Sequence, residues 1–329
     1  KTPQSAEVAG WFREAAVKAI TVSSLGMARH FAGAGWDDIT VAFPLNVREL
    51  DAVDALTGQV QLGVLAESVE SVRRLAAGTA HPVRVWLKVD TGYGRTGLAW
   101  DDPALEAVAE VVAGAPRLAL AGLLTHAGHS YGPHGRDGLL ELYRASVDQL
   151  TRARRRLERA GHPGLALSVG DTPGCSVVDD FLGVDEVRPG NFAFYDVQQW
   201  RFGACREADI AVALAAPVVA AHPQRGELVV YGGAVHLSKD AVTLEDGATC
   251  FGLVALPTAS GWGPAVPGAR VRALSQEHGV ITAPPELLGR VRVGDLVCVL
   301  PAHSCLTAQA MGGYLALDGH RIAMVGGAV

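Results

Sequence analysis

Short apolar, β-branched runs alternate with helical stretches through the first part of the chain. The runs are Ile20–Ser23, Ile39–Phe43, Gln61–Ala66, Val83–Asp90, Leu118–His126, Leu165–Val169 and Glu186–Phe194. An opening helix carries Val8, Trp11, Phe12 and Ala15 at helical spacing. Further helices are expected at Gly26–Ala34, Val47–Leu56, Val69–Ala77, Pro103–Ala113, Leu139–Arg159 and, briefly, near Ser176–Phe181. Strands that alternate with helices form a parallel sheet. Seven strands are one short of a closed (β/α)8 barrel, and this chain opens on a helix. The pattern predicts an α/β fold, a TIM-type barrel whose first strand preceded Lys1. An open seven-stranded sheet is the alternative. In the barrel, Lys1 stands at the C-terminal end of strand one, on the face where barrel enzymes place their chemistry.

After Trp200 the pattern changes. Short strands at Ala211–Ala220, Glu227–Tyr231, Arg270–Leu274, Leu296–Leu300 and Gly313–Leu317 are punctuated by Gly and Pro, and no helix of three turns is expected. Two domains follow, residues 1–200 as the barrel and residues 201–329 as an all-β domain. Composition narrows the class. At 49% hydrophobic and 19% charged residues the chain is far from the disordered regime. A net charge of −6 excludes the basic face that nucleic-acid binding needs. The basic cluster Arg152, Arg154, Arg155 and Arg156 reads as a solvated helix face. No run of eighteen apolar residues exists to span a membrane. Five cysteines, an odd number in a long chain, argue against a disulfide framework and place the protein in the cytoplasm.

Several segments carry candidate chemistry. Ser168-Val169-Gly170-Asp171-Thr172-Pro173-Gly174 ends one strand and leads into a helix, and Gly190-Asn191 follows the next. Glycines let main chain approach an anion, helix N-terminal amides donate to it, and barrels bind phosphate in these loops. Asp171 would repel a phosphate, so it is expected to point away or to cap the helix. His126 ends a strand, and Arg95 lies in the loop Asp90-Thr91-Gly92-Tyr93-Gly94-Arg95-Thr96-Gly97. His303 and Cys305, two apart on an extended chain, would point the same way. Imidazole with thiolate is a soft donor set that favours zinc. Cys175, Cys205, Cys250 and Cys298 show no ligand spacing and read as core residues.

Five segments together resemble one known family. They are Lys1-Thr2 with Ile20-Thr21-Val22-Ser23, Leu124-Thr125-His126-Ala127-Gly128-His129-Ser130-Tyr131, Val187-Arg188-Pro189-Gly190-Asn191, Gln276-Glu277-His278-Gly279, and Pro301-Ala302-His303-Ser304-Cys305-Leu306-Thr307. The chain is similar to the D-serine dehydratase and D-threonine aldolase family, pyridoxal-phosphate enzymes of the alanine racemase-like fold. The resemblance implies that Lys1 holds the cofactor and, once freed, removes the substrate α-proton. His126 would stack on the pyridine ring, and Arg188 would face the ring nitrogen or pair with Asp185 or Glu186. Arg95 would reach the cofactor's phenolic oxygen, reach the substrate carboxylate, or lie in solvent. The cofactor set is Lys1, His126, Arg188, Ser168, Gly170, Asp171, Thr172, Gly190, Asn191 and Tyr195. His303 and Cys305 would hold Zn2+, with Mn2+ or Mg2+ the metals of the related His-x-Asp aldolases. The implied reaction converts a small D-3-hydroxy amino acid to a 2-oxo acid and ammonia in a homodimer. The alternatives are retro-aldol cleavage to glycine, racemisation and non-catalytic cofactor binding. The segments Gly232–Asp240 and Gln276–Gly279 match the family without an assigned role.

Overall fold

In the computed structural model, seven strands form one parallel sheet in chain order. They are β1 (Ile20–Val22), β2 (Asp38–Pro44), β3 (Gln61–Ala66), β4 (Val83–Lys88), β5 (Leu118–Leu124), β6 (Ala166–Val169) and β7 (Glu186–Val187). The structure describes residues 1–181 and 183–326, so the last three positions of the expected β domain lie outside the described residues. The chain divides into two units, Lys1 with Ala6–Gly190 and Thr2–Ser5 with Asn191–Val329. The division falls after Gly190, ahead of the expected 200/201 boundary.

The strands of the first unit are apolar on both faces, as a sheet covered by helices requires. In β3, Leu62 through Ala66 are all buried. Helices start where small polar residues follow strand ends. Ser24 accepts from Met27 N at 3.2 Å, and Ser68 accepts from Ser71 N at 3.2 Å. Each satisfies one otherwise orphaned amide. The helices Leu25–Gly33, Leu50–Thr57, Val69–Gly78, Ala104–Ala113 and Gly135–Arg159 press apolar stripes on the sheet through Phe31, Leu56, Leu75, Val108 and Leu150.

Two expected elements are shorter or shifted. The last strand keeps only Glu186–Val187, and Asn191–Ala193 forms a 3-10 turn. Pro189 lacks a ladder donor and ends the strand. The short helix runs over Thr172–Val177 instead of Ser176–Phe181, because Asp171 caps it and Pro173 favours its first turn.

In the second unit six antiparallel strands close a barrel. Their order is Gly252–Thr258, Gly261–Leu274, His278–Thr282, Glu227–Tyr231, Leu214–His222 and Leu296–Pro301. Its interior is filled by Val218, Leu228, Val230, Val254, Val271, Ile281, Val297 and Val299. Residues Thr2–Ser5 belong to this unit: Tyr314 Oη donates to Pro3 O at 2.7 Å and Val325 N donates to Gln4 O at 2.7 Å. Among the described residues no helix is long and apolar enough to cross a membrane.

Candidate active site

At the C-terminal ends of β1 to β7 the first unit gathers most of the expected site. The main-chain nitrogen of Lys1 donates to Thr21 O of β1 at 3.1 Å, which sets Lys1 beside that strand. The Asp90 carboxylate organises the loop after β4 by accepting from Gly92, Tyr93 and Gly94 N at 2.9–3.0 Å. Gly97 closes that loop at φ +107°, where a Cβ would meet Asp90 N at 2.7 Å, so no side chain fits there. The loop presents Tyr93 edge-on to His126, with Arg95 over the Tyr93 ring at 4.9 Å.

His126 is tied by Nδ1 to the Gly170 carbonyl, so Nδ1 carries the proton in the neutral ring. Arg188 is buried. It donates to Ser168 Oγ and to Thr125 O, both at 2.6 Å, and pairs with Glu186 at 3.3 Å, the acid to which Ser168 Oγ also donates. A Cβ on Gly170 would meet the Arg188 guanidinium at 2.8 Å, so the missing side chain is what seats the arginine. Asp171 caps the Thr172–Val177 helix, one of the two arrangements expected of it. Its carboxylate accepts from Gly174 N at 2.7 Å and from Ser130 Oγ at 2.9 Å. Thr172 N donates to Tyr131 Oη at 3.2 Å.

The electrostatics of this cluster follow from burial first and from neighbouring cations second. Burial pulls the His126 pKa down to about 4, opposed by the Gly170 hydrogen bond and reinforced by Arg95, Arg188 and Lys88. Lys88, at the end of β4, is buried and donates to Val89 O at 3.2 Å. Its pKa falls to about 8, through burial first and then the charge of Arg188. Lys88 was not among the expected site residues. The signal was a lysine closing the strand VRVWLK, apolar apart from Arg84.

The second unit carries the remaining expected residues. Asp196 is fully buried and joins three segments. It accepts from Asn191 Nδ2 at 2.7 Å, from Gln199 N at 2.9 Å and from Ser304 N at 3.0 Å. Ser304 Oγ donates to Asn191 Oδ1 at 2.8 Å, so the Asn191 amide is engaged inside this network at both ends. Tyr195 follows at φ +48°, and its N donates to Asn191 O at 2.7 Å.

His303 and Cys305 are not on an extended chain. His303 is the N-cap of the helix Ser304–Met311 and Cys305 lies in its first turn. Pairing comes from the tight turn at the helix start rather than from strand alternation. His303 Nδ1 meets Asp240 Oδ2, and Cys305 Sγ lies 3.8 Å from Thr2 Oγ1. Burial disfavours a charged His303, but the Cys305 hydrogen bond and charge, together with Asp240 and Asp196, raise its pKa to about 9. Among the described residues no group of three or more His, Cys, Asp or Glu is arranged to hold a metal. His303 and Cys305 are the two residues expected to hold the metal. Cys175, Cys250 and Cys298 are buried, and Cys205 is half-buried.

Residues 2–197 match the family model "Alanine racemase, N-terminal domain", and residues 211–317 match "Putative serine dehydratase domain". The D-threo-3-hydroxyaspartate dehydratase of a Delftia species is 31% identical over 96% of this chain and 85% of its own. Its solved structure superposes with a TM-score of 0.89 over 98% of this chain and 88% of its own. That enzyme has also been solved as a histidine-to-alanine mutant and, in the metal-free form, as a cysteine-to-alanine mutant. The D-serine dehydratase of Dictyostelium discoideum is 28% identical over 90% of this chain and 78% of its own. A D-threonine aldolase from Filomicrobium marinum, 20% identical with a TM-score of 0.79 over 98% of this chain and 85% of its own, shares the fold.

Proposed function

This chain belongs to the D-serine dehydratase-like family of alanine racemase-fold, pyridoxal-phosphate-dependent lyases, and on that premise we propose that it dehydrates a small D-3-hydroxy amino acid to a 2-oxo acid and ammonia. The observation that carries this reading is the His303–Cys305 pair at one helix start, a soft donor set suited to zinc. The histidine and cysteine exchanged for alanine in the Delftia enzyme stand two positions apart, as these do. When bound, pyridoxal phosphate supplies an electron sink for the α-carbon, and zinc supplies a Lewis acid for the β-hydroxyl.

Each group fits the residues present. Lys88, Arg95 and Arg188 all push the His126 pKa down, so the strand ends of the first unit carry a positive field that suits an anionic cofactor. Asp240 engages Nδ1 of His303, which leaves Nε2 as the nitrogen that would bind a metal.

Lys1 is the attachment amine and the base that takes the α-proton. His126, neutral at pH 7, would offer its ring face to the cofactor. Arg188, held by Ser168, Thr125 and Glu186, would face the ring nitrogen as a charged group. Arg95 orients the substrate carboxylate or the phenolic oxygen. Ser168, Gly170, Thr172 and Gly190 would line the phosphate. Asn191 serves through its main chain, because its amide is engaged by Asp196 and Ser304. Asp171 serves as the cap that sets the Thr172 amide. The chain acts as a homodimer in the cytoplasm. Tyr231, Val235, Leu306, Met311, Leu315 and Leu317 of the second unit are exposed apolar side chains that a second copy would bury, and five unpaired cysteines support a reducing compartment.

The test is turnover of the purified full-length protein on D-serine, D-threonine and D-threo-3-hydroxyaspartate, with and without chelator. Pyruvate, 2-oxobutyrate or oxaloacetate, lost on chelation, is the expected result. Glycine as product, or full dehydratase activity with no metal bound, overturns the reading.

A further inference from the structure

The segment Gly232–Asp240, which matched the family without a role, ends beside a candidate metal ligand. Gly233 opens the short helix Ala234–Leu237, and a Cβ there would meet Gln276 O at 2.4 Å, so the segment packs tightly against the other unassigned stretch, Gln276–Gly279. Ser238 then adopts φ +64° and ψ −171°, a region nearly reserved for glycine. Two side-chain hydrogen bonds add to the main-chain ones that hold this form. Asp240 N donates to Ser238 Oγ at 3.1 Å, and Thr307 Oγ1, from the helix that bears Cys305, donates to Leu237 O at 3.4 Å. The outcome is a carboxylate placed on His303 Nδ1.

We propose that Asp240 is a positioning residue for the metal: by accepting the Nδ1 proton it fixes the tautomer and rotation of His303 so that Nε2 faces the ion beside Cys305. The inference rests on the metal reading of His303 and Cys305 made above. The physical reason is that a histidine has two nitrogens and two ring orientations, and only one combination presents a lone pair in the right direction. A carboxylate on the far nitrogen selects that combination before the metal arrives and makes the near nitrogen a stronger donor. The strained Ser238 is then explained as the bend that delivers the carboxylate.

The experiment measures zinc affinity of the full-length, cofactor-loaded protein by competition with a chromophoric chelator. It is repeated with Co2+, whose visible spectrum reports the ligand geometry. The variants are Asp240→Ala, Asp240→Asn, Asp240→Glu and Cys305→Ala, each checked for wild-type circular dichroism and cooperative melting without metal. Expected are a 10–100-fold weaker zinc affinity and an altered Co2+ spectrum for Asp240→Ala. A smaller loss should follow Asp240→Asn, which can still accept from Nδ1, and Asp240→Glu should recover affinity in part. If Cys305→Ala loses zinc while Asp240→Ala binds it with unchanged affinity and spectrum, the positioning role is overturned and the metal site stands. If Cys305→Ala binds zinc as the wild type does, the metal reading itself fails, and this proposal with it.

Discussion

Two histidines, one in each unit, titrate in opposite directions. His126 is pulled down to about 4 and His303 is raised to about 9. Both are half-buried, and burial pushes both towards the neutral form. The difference lies in their neighbours. His126 has Arg95, Arg188 and Lys88 around it; His303 has Cys305, Asp240 and Asp196. One cluster is prepared for an anion and the other for a cation. A phosphorylated cofactor and a divalent metal are ligands of those two signs, so the contrast is the electrostatic form of the proposed chemistry.

The largest effects should come from removing the group unique to each cluster. Lys1→Ala should cost on the order of 10⁴-fold in turnover, the upper range for a lost general base. In the wild type, borohydride should fix the cofactor on Lys1 in peptide mapping. A label on Lys88, whose lowered pKa makes it the competing amine, would move the anchor to β4. Cys305→Ala should cost about 10³-fold by removing a Lewis acid, while the cofactor absorbance stays intact. Loss of both cofactor and metal in this one variant would mean that the two clusters are not chemically separable. Cys305→Asp should move the preference towards manganese or magnesium, because a harder ligand suits harder ions.

Smaller effects test the fields directly. Arg95→Gln removes a charge from the His126 side alone. The His126 pKa, followed by NMR, should rise above about 4, and His303 should not move. A shift at His303 of the same size would show that the fields are not local.

The smallest effect is on the pH dependence of stability in metal-free protein. His126 has a folded pKa below its unfolded value of about 6.5. The stability linked to its neutral form is present above that pH and is lost as pH falls towards about 4. His303 has a folded pKa above the unfolded value. The stability linked to its charged form is present below about pH 6.5 and is lost as pH rises through about 9. Thermal melting should therefore show an acid-side loss that His126→Asn flattens and an alkaline-side loss that His303→Asn flattens. A single variant flattening both sides would break the contrast.

Much of this was legible along the chain, and the reason is periodicity. Continuous apolar runs such as β3 are covered on both faces whatever their neighbours, so their existence and parallel pairing could be read locally. Asp171 could be read as a cap because capping is decided within three residues. The spacing of His303 and Cys305 was visible too, but their geometry was misread, since alternation on a strand and the first turn of a helix can both bring such a pair together. What lay beyond the sequence was every property set by distant partners. Asp240 reaches His303 across 63 positions and Ser304 reaches Asn191 across 113. Lys88 becomes a titratable amine only because folding buries it near Arg188. A charge's neighbours and its dielectric surroundings are properties of the packed chain. The sequence by itself determined which elements form and which chemical groups they carry; the tertiary structure alone decided which of those groups meet, and with what sign of field.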